Sequence, residues 1–215
     1  DRAAIFDAIR RANPAPVHSA REIAEQAALL VADRAGVQPD FGGLSLLDRF
    51  VAKATSERVT AMVNRVAQLS DVPAAVAGYL NNAGLTAPVA VQKCAVLEAL
   101  DWSTLDCTQA LEEDGGVAVT CAEFGIAETG SVVFRSGADR PVMLNFLPLH
   151  HIVVLNAENL RAYPEDLWVH LGGRDAPQSR LLTVVTGTSG TADIEARNVR
   201  GAHGPRHMMI VIYGG

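Results

Sequence analysis

Apolar residues follow two rhythms along this chain, and the change between them falls near residue 41. Before it, Ala3, Ile5, Phe6 and Ile9, then Ile23, Ala27, Leu30 and Val31, recur at helical spacing, with Asn13-Pro14-Ala15-Pro16 breaking the run. Ser19 stands three residues before Glu22, which is capping-box spacing and predicts the start of the second helix. Gly36, Pro39, Gly42 and Gly43 read as a linker. The chain therefore divides into a helical segment over 1–40 and a main domain over 41–215.

Within 41–215 the pattern alternates between helices and strands. Helices are predicted over 44–54 and 73–82, the second ending at Gly84, and strands over 58–63, 89–91, 116–121, 131–134, 142–145, 152–155, 181–186 and 208–213. Three strands, Ile152-Val153-Val154-Leu155, Leu181-Leu182-Thr183-Val184-Val185 and Met209-Ile210-Val211-Ile212, are near-continuous apolar runs. Such runs belong in a sheet covered on both faces, so the fold predicted is an α/β, three-layer α/β/α sandwich. Thr129-Gly130 and Ser136-Gly137 flank the 131–134 strand at hairpin spacing, which makes the expected sheet mixed and mostly parallel.

Composition narrows the function classes. The 215 residues are 49% hydrophobic and 20% charged, enough for a core and too apolar for a disordered chain. A net charge of −6 with no basic run argues against general binding to nucleic acid or anionic membranes, while leaving room for a local cationic pocket. No apolar run approaches the roughly 18 to 20 residues of a membrane span. The three cysteines, Cys94, Cys107 and Cys121, form no C-x-x-C pair, so no iron–sulfur cluster and no metal site is expected in this chain. An odd cysteine count without a secretory signal suggests reduced thiols in a cytoplasmic protein.

The densest polar segment, Gly187-Thr188-Ser189-Gly190-Thr191-Ala192-Asp193-Ile194-Glu195, follows an apolar strand. A strand, a hydroxyl-rich turn and a helix start would offer backbone N–H groups to a carboxylate or phosphate. Gly187, Thr188, Ser189, Thr191 and Asp193 are candidates; the ordinary alternative is N-capping by Ser189 or Thr191. Glu128, in the apolar Phe124–Ser131 stretch, is a candidate acid, base or nucleophile beside Thr129, or else an exposed turn residue. His151 and His203 lie near strand ends, where open α/β sheets bind ligands, and would join Glu128 in one cleft; His150 would point to the opposite face from His151. The alternative for each histidine is a hydrogen-bonded structural role.

Four segments occur in a telling order: Phe124-Gly125-Ile126-Ala127-Glu128-Thr129-Gly130-Ser131, Leu147-Pro148-Leu149-His150-His151-Ile152, Thr191-Ala192-Asp193-Ile194-Glu195 and Gly201-Ala202-His203-Gly204-Pro205. Together they resemble the LUD domain, and most closely the lactate utilisation protein C family. The resemblance implies a fold similar to the sugar-phosphate isomerase and CoA-transferase superfamily. It also implies a cluster-free subunit that assists assembly, substrate binding or regulation in converting L-lactate to pyruvate, beside iron–sulfur partner proteins. The family usually carries a basic residue just before the Thr-Ala-Asp-Ile-Glu run, where this chain has Gly190, so an arginine from elsewhere, Arg135, Arg197, Arg200 or Arg206, would have to serve. Other readings are a CoA-transferase-like enzyme attacking a thioester with Glu128, on the likeness of Glu128-Thr129-Gly130 to that fold's Glu-x-Gly turn, and a small-anion binding module. In the first reading Glu128 and His151 are the candidate catalytic pair, and a homo-oligomer is compatible with all three.

Overall fold

The computed structural model describes residues 2–13, 18–33, 36–111, 115–172, 176–194 and 197–215, with backbone alone at 192–194, 197 and 198. Two compact units are present, Asp1–Asp40 and Phe41–Gly215. The first holds α1 (Arg2–Ala12) and α2 (Ala20–Ala32), neither with a buried residue. The Ser19 hydroxyl accepts from the Glu22 N–H, and the Glu22 carboxylate accepts from the Ser19 N–H at 2.7 Å, completing the capping box.

The second unit runs α3 (Leu46–Ala54), β1 (Met62–Val66), α4 (Val72–Ala83), β2 (Val89–Val91), α5 (Ala95–Glu98), β3 (Cys107–Thr108), β4 (Val117–Cys121), β5 (Phe124–Ile126), β6 (Ser131–Arg135), β7 (His150–Asn156), β8 (Leu160–Arg161), α6 (Pro164–His170), β9 (Leu182–Val185), β10 (Gly190–Ile194), β11 (Arg197–Arg200) and β12 (His207–Tyr213). Six strands form one sheet in the order β1-β12-β7-β4-β2-β3, and every neighbouring pair is parallel. One face, carrying Val117, Val119, Ile152, Val154, Met209 and Val211, packs on α4 and α5 through Val72, Val76, Leu80 and Leu97. The other, carrying Val153, Leu155, Ile210 and Ile212, packs on Phe50 and Ala54 of α3 and on Val132 and Phe134 of β6. Burial on both faces is why β7 and β12 are apolar at successive positions rather than alternate ones.

The antiparallel strands stand apart from the parallel ones. β8, β5, β6 and β9 make a four-stranded mixed sheet laid over the second face, and α6 covers its outer side through Leu167 and Leu171 against Phe124, Ile126 and Val133. The α/β character and the mostly parallel pairing are as expected, but the hairpin strands form a sheet of their own instead of making the main sheet mixed.

Two predicted strands need correction. Val142–Asn145 is a 3-10 turn after Pro141, closed by Leu144 N–H donating to Pro141 O at 3.3 Å and Phe146 N–H to Met143 O at 3.1 Å. The strand expected from residue 58 begins only at Met62, because the Ser56 carbonyl takes the N–H groups of both Val59 (3.1 Å) and Thr60 (2.8 Å) and curls the chain into a turn. Among the described residues no helix is long and apolar enough to cross a membrane.

The start of α3 is set by Ser45, whose hydroxyl accepts from the Asp48 N–H at 3.1 Å and donates to the Asp48 carboxylate at 2.6 Å. Ser45→Ala is expected to cost about 1 kcal/mol, which a thermal melt would read as a drop of roughly 2–4 °C. An unchanged melting point would mean that packing of Phe50 alone holds the helix.

Candidate anion-binding site

The turn before β1 ends in an unusual residue. Among the described residues Thr60 is the sole non-glycine with a positive φ, 61°, a costly conformation for a β-branched side chain. It is held there by its neighbours. The Thr60 and Thr188 hydroxyls are hydrogen-bonded at 2.6 Å, and the Thr188 N–H donates to the Val59 carbonyl at 3.1 Å. This close approach passes over Gly187, at φ 75°, where a Cβ would lie 1.7 Å from the Val59 oxygen. The Arg200 guanidinium then donates to both hydroxyls, at 2.8 Å to Thr188.

Arg200 arrives by a route the sequence reading did not foresee. After Gly187 no helix begins; β10 and β11 form an antiparallel hairpin in which Gly190 stands opposite Arg200 and Thr191 opposite Val199. The period of two in Thr191, Ala192, Asp193 and Ile194 favours this strand over the expected helix. No helix N-terminus is therefore available to an anion here, and the charge comes from arginine instead. The residue facing Gly190 across the hairpin supplies the guanidinium that Gly190 itself lacks. The Gly201–Pro205 loop is laced to the same turn, with Ser189 N–H donating to Pro205 O at 2.9 Å and Gly201 N–H to Ser189 O at 3.0 Å. That lacing sets Arg206 and His207 beside Arg200, and together with Thr60, Met62 and Thr188 they line a cavity of about 650 Å³. Two guanidiniums, two hydroxyls and an imidazole lining one cavity suit a carboxylate or phosphate.

A second cavity of about 850 Å³ adjoins it, sharing Met62 and His207. It lies between α4 and the first residues of β1, β7 and β12, where His150 and His207 pair in register. Their rings stack at 4.4 Å and 14°, and the Tyr79 hydroxyl is hydrogen-bonded to His150 Nδ1 at 2.7 Å. Burial and the neighbouring His207 both hold the His150 imidazolium below its ordinary range. Both cavities lie at the amino ends of the parallel strands, opposite the carboxyl ends where such sheets commonly bind ligands.

The predicted residues are distributed unevenly around this site. Thr188 lines it and Gly187 shapes it, while Ser189 acts through its backbone bonds. His203 is exposed on the 201–205 loop and lines neither cavity, and Thr191 sits in the hairpin. The side chains of Asp193 and Arg197, and Glu195 altogether, lie outside the described residues. Glu128 belongs to the turn joining β5 and β6, its N–H donating to Ala162 O at 3.0 Å. From that turn a chain of hydroxyls, Thr129 to Ser131 and Ser131 to Thr186, each at 2.7 Å, runs toward Gly187, but Glu128 itself lines neither cavity.

His151 lies in the core instead of a cleft: it is 1% exposed, Nε2 is hydrogen-bonded to Thr120 Oγ1 at 2.7 Å, and Nδ1 has no partner. β7 sends alternate side chains to opposite faces, so His150 goes to α4 and His151 to Phe134, whose ring centroid is 5.8 Å away. Arg135 is taken up by Glu123, which also binds Arg140 at 3.1 Å, and so does not serve the anion site. Thr60, Tyr79 and His207 escaped the sequence reading because no local motif marks them; the turn before β1, α4 and the start of β12 bring them to the cleft from distant parts of the chain.

Buried Cys94 and half-buried Cys121 meet at the carboxyl ends of β2 and β4, where the Cys121 thiol draws the Cys94 thiol down to about 6, while Cys107 is paired with Val89 at the other end of the sheet. Among the described residues no group of three or more His, Cys, Asp or Glu side chains is placed to hold a metal ion.

This architecture has known counterparts. A solved structure of a DUF162 family protein from Deinococcus radiodurans superposes with a TM-score of 0.55 at 19% identity, over 80% of this chain and 99% of that one, which is a likeness of fold. In sequence, the chain is 33% identical over 96 residues to the uncharacterized protein YkgG of Escherichia coli, covering 43% of this chain and 42% of that protein. It is 30% identical over 105 residues to Lactate utilization protein C of Deinococcus radiodurans, covering 48% and 49%, and 30% identical over 96 residues to the protein of that name from Halalkalibacterium halodurans, covering 43% and 42%. The matched stretch is thus about half the length of each of these relatives or less. The family model of the LUD domain matches residues 90–213, more than half of the chain, with β12 and the Arg200 hairpin inside the match. On that match this chain belongs to the LUD domain family.

Proposed function

We propose that this chain serves lactate utilisation by holding a small carboxylate at the Arg200 end of the cleft, as a component without a cluster of its own beside iron–sulfur partner proteins that carry the electrons from L-lactate. The observation that carries the reading is Arg200, bonded to Thr60 and Thr188 with Arg206 alongside in one cavity. A planar guanidinium presents paired donors to a carboxylate, and the flanking hydroxyls fix its orientation. The names of the relatives supply lactate as the carboxylate to test first. The division of labour follows the cysteines: Cys94 and Cys121 meet at one end of the sheet and Cys107 lies at the other, so the three do not gather into one ligand set.

Calorimetry with L-lactate and pyruvate tests the binding step. Wild-type protein is expected to bind, and Arg200→Met to weaken binding at least tenfold, about 1.4 kcal/mol, with its fold intact by circular dichroism. Equal binding by the variant would overturn the site. The partnership is tested separately by affinity purification from lactate-grown cells, with iron analysis and lactate-dependent dye reduction on the eluate. An iron-free, inactive single chain would overturn the role in a complex.

A further inference from the structure

The Arg200 cavity continues into one too large for a three-carbon acid. L-lactate has six non-hydrogen atoms, whereas the space beyond His207 alone is about 850 Å³, within the ~300–1,000 Å³ of sites that enclose much larger ligands. The walls of that space are specific in kind. α4 offers Ala74, Ala75 and Gly78, and a Cβ at Gly78 would meet nothing within 4 Å, so this side is shallow and unobstructed. Facing it are the thioethers of Met62 and Met209, beside the stacked imidazoles of His150 and His207. Small residues on one side, with sulfur and π faces on the other, suit a flat ring better than a branched or flexible chain. Asn64, Asn82 and the Tyr79 hydroxyl add amide and hydroxyl groups, which match the nitrogen and oxygen atoms of a heteroaromatic ring.

We propose that the whole cleft takes a nucleoside monophosphate-sized anion, its phosphate on Arg200 and Arg206 and its base in the space between α4 and the His150–His207 pair. The proposal rests on the Arg200 anion seat argued above and extends it to a second subsite. A small carboxylate would then share the phosphate position, so the two ligands compete.

The test is calorimetry with AMP, GMP, CMP, UMP, adenosine and L-lactate on the wild-type chain, Gly78→Leu and Arg200→Met. Gly78→Leu fills the ring space from within α4, where leucine is the better helix former, and so is not expected to unfold the protein. At least one nucleotide is expected to bind more tightly than L-lactate and to be displaced by it. Gly78→Leu should weaken the nucleotide at least tenfold and leave L-lactate unchanged, while Arg200→Met weakens both. If no nucleotide binds, or Gly78→Leu leaves nucleotide affinity unchanged, the larger ligand is refuted; retained Arg200-dependent L-lactate binding would then leave the carboxylate reading standing. Nucleotide binding indifferent to Arg200→Met would also overturn the proposal, because the phosphate would not be where it is placed. Failure of every ligand would overturn both readings.

Discussion

Gly187→Ala is expected to destabilise the main unit by about 4 kcal/mol and to abolish the Arg200 site with it. Two costs add at this one atom. A left-handed φ of 75° costs a residue with a Cβ about 1–2 kcal/mol, and the new methyl would stand 1.7 Å from the Val59 oxygen, so the two segments must part. Parting them breaks the 3.1 Å bond from Thr188 N–H to Val59 O, worth about 1–3 kcal/mol when its partners are left unpaired. Chemical denaturation gives the stability change directly, and a melt should fall by roughly 10 °C. A variant that melts within ~2 °C of wild type would show that the turn at 56–60 relaxes freely and that Thr60 does not depend on its neighbours for its conformation. Surviving L-lactate binding in Gly187→Ala would separate the anion seat from that turn.

Acid is expected to unfold the protein through His151. The ring is 1% exposed among Phe134 and the strands, and desolvation by burial lowers its pKa from the usual 6.5 to about 3. The fold therefore prefers the neutral ring, and this contribution is complete above pH 6.5 and lost progressively as pH falls toward about 3. At pH 4 the loss amounts to about 3 kcal/mol. Urea titrations from pH 7 to pH 4 read it, with His151→Leu as the comparison. The leucine variant should be the less stable at pH 7, because the Thr120 hydroxyl loses its partner, and the gap should close or invert by pH 4. Parallel stability curves for the two proteins would remove His151 as the acid-sensitive group. His150 acts in the same direction from the other face, so a residual slope in the variant is expected.

The layers were more legible in the sequence than the site. β7 and β12 announce themselves because an apolar run with no polar alternation has no place but a sheet covered twice. Ser19 and Gly84 mark helix boundaries by chemistry local to each. Val142-Met143-Leu144-Asn145 misleads because a run of four lacks the length to show a period, and Pro141 before it suits a turn as well as an edge. The 187–195 segment misleads differently: its glycines and hydroxyls are those of a helix cap, while its Ala192 and Ile194 alternate as in a strand, and the partner strand that decides between them lies beyond it. The site residues meet through register across the sheet and hairpin, which no single segment contains. Thr60 and Arg200 are 140 positions apart, and nothing near either predicts their meeting.

On the ribosome, β1 emerges long before the strand that lies beside it. β12 is inserted between β1 and β7, so until its apolar run is made, each of those strands presents an unpaired edge and part of a bare apolar face. A nascent chain that already contains α3 to β11 thus holds two sheet fragments that cannot yet join. Folding of the main unit consequently waits for β12 and is dominated by a long-range closure that is slow relative to local helix formation. Chaperone demand, and loss to aggregation when translation stalls before β12 is complete, would fall on this interval.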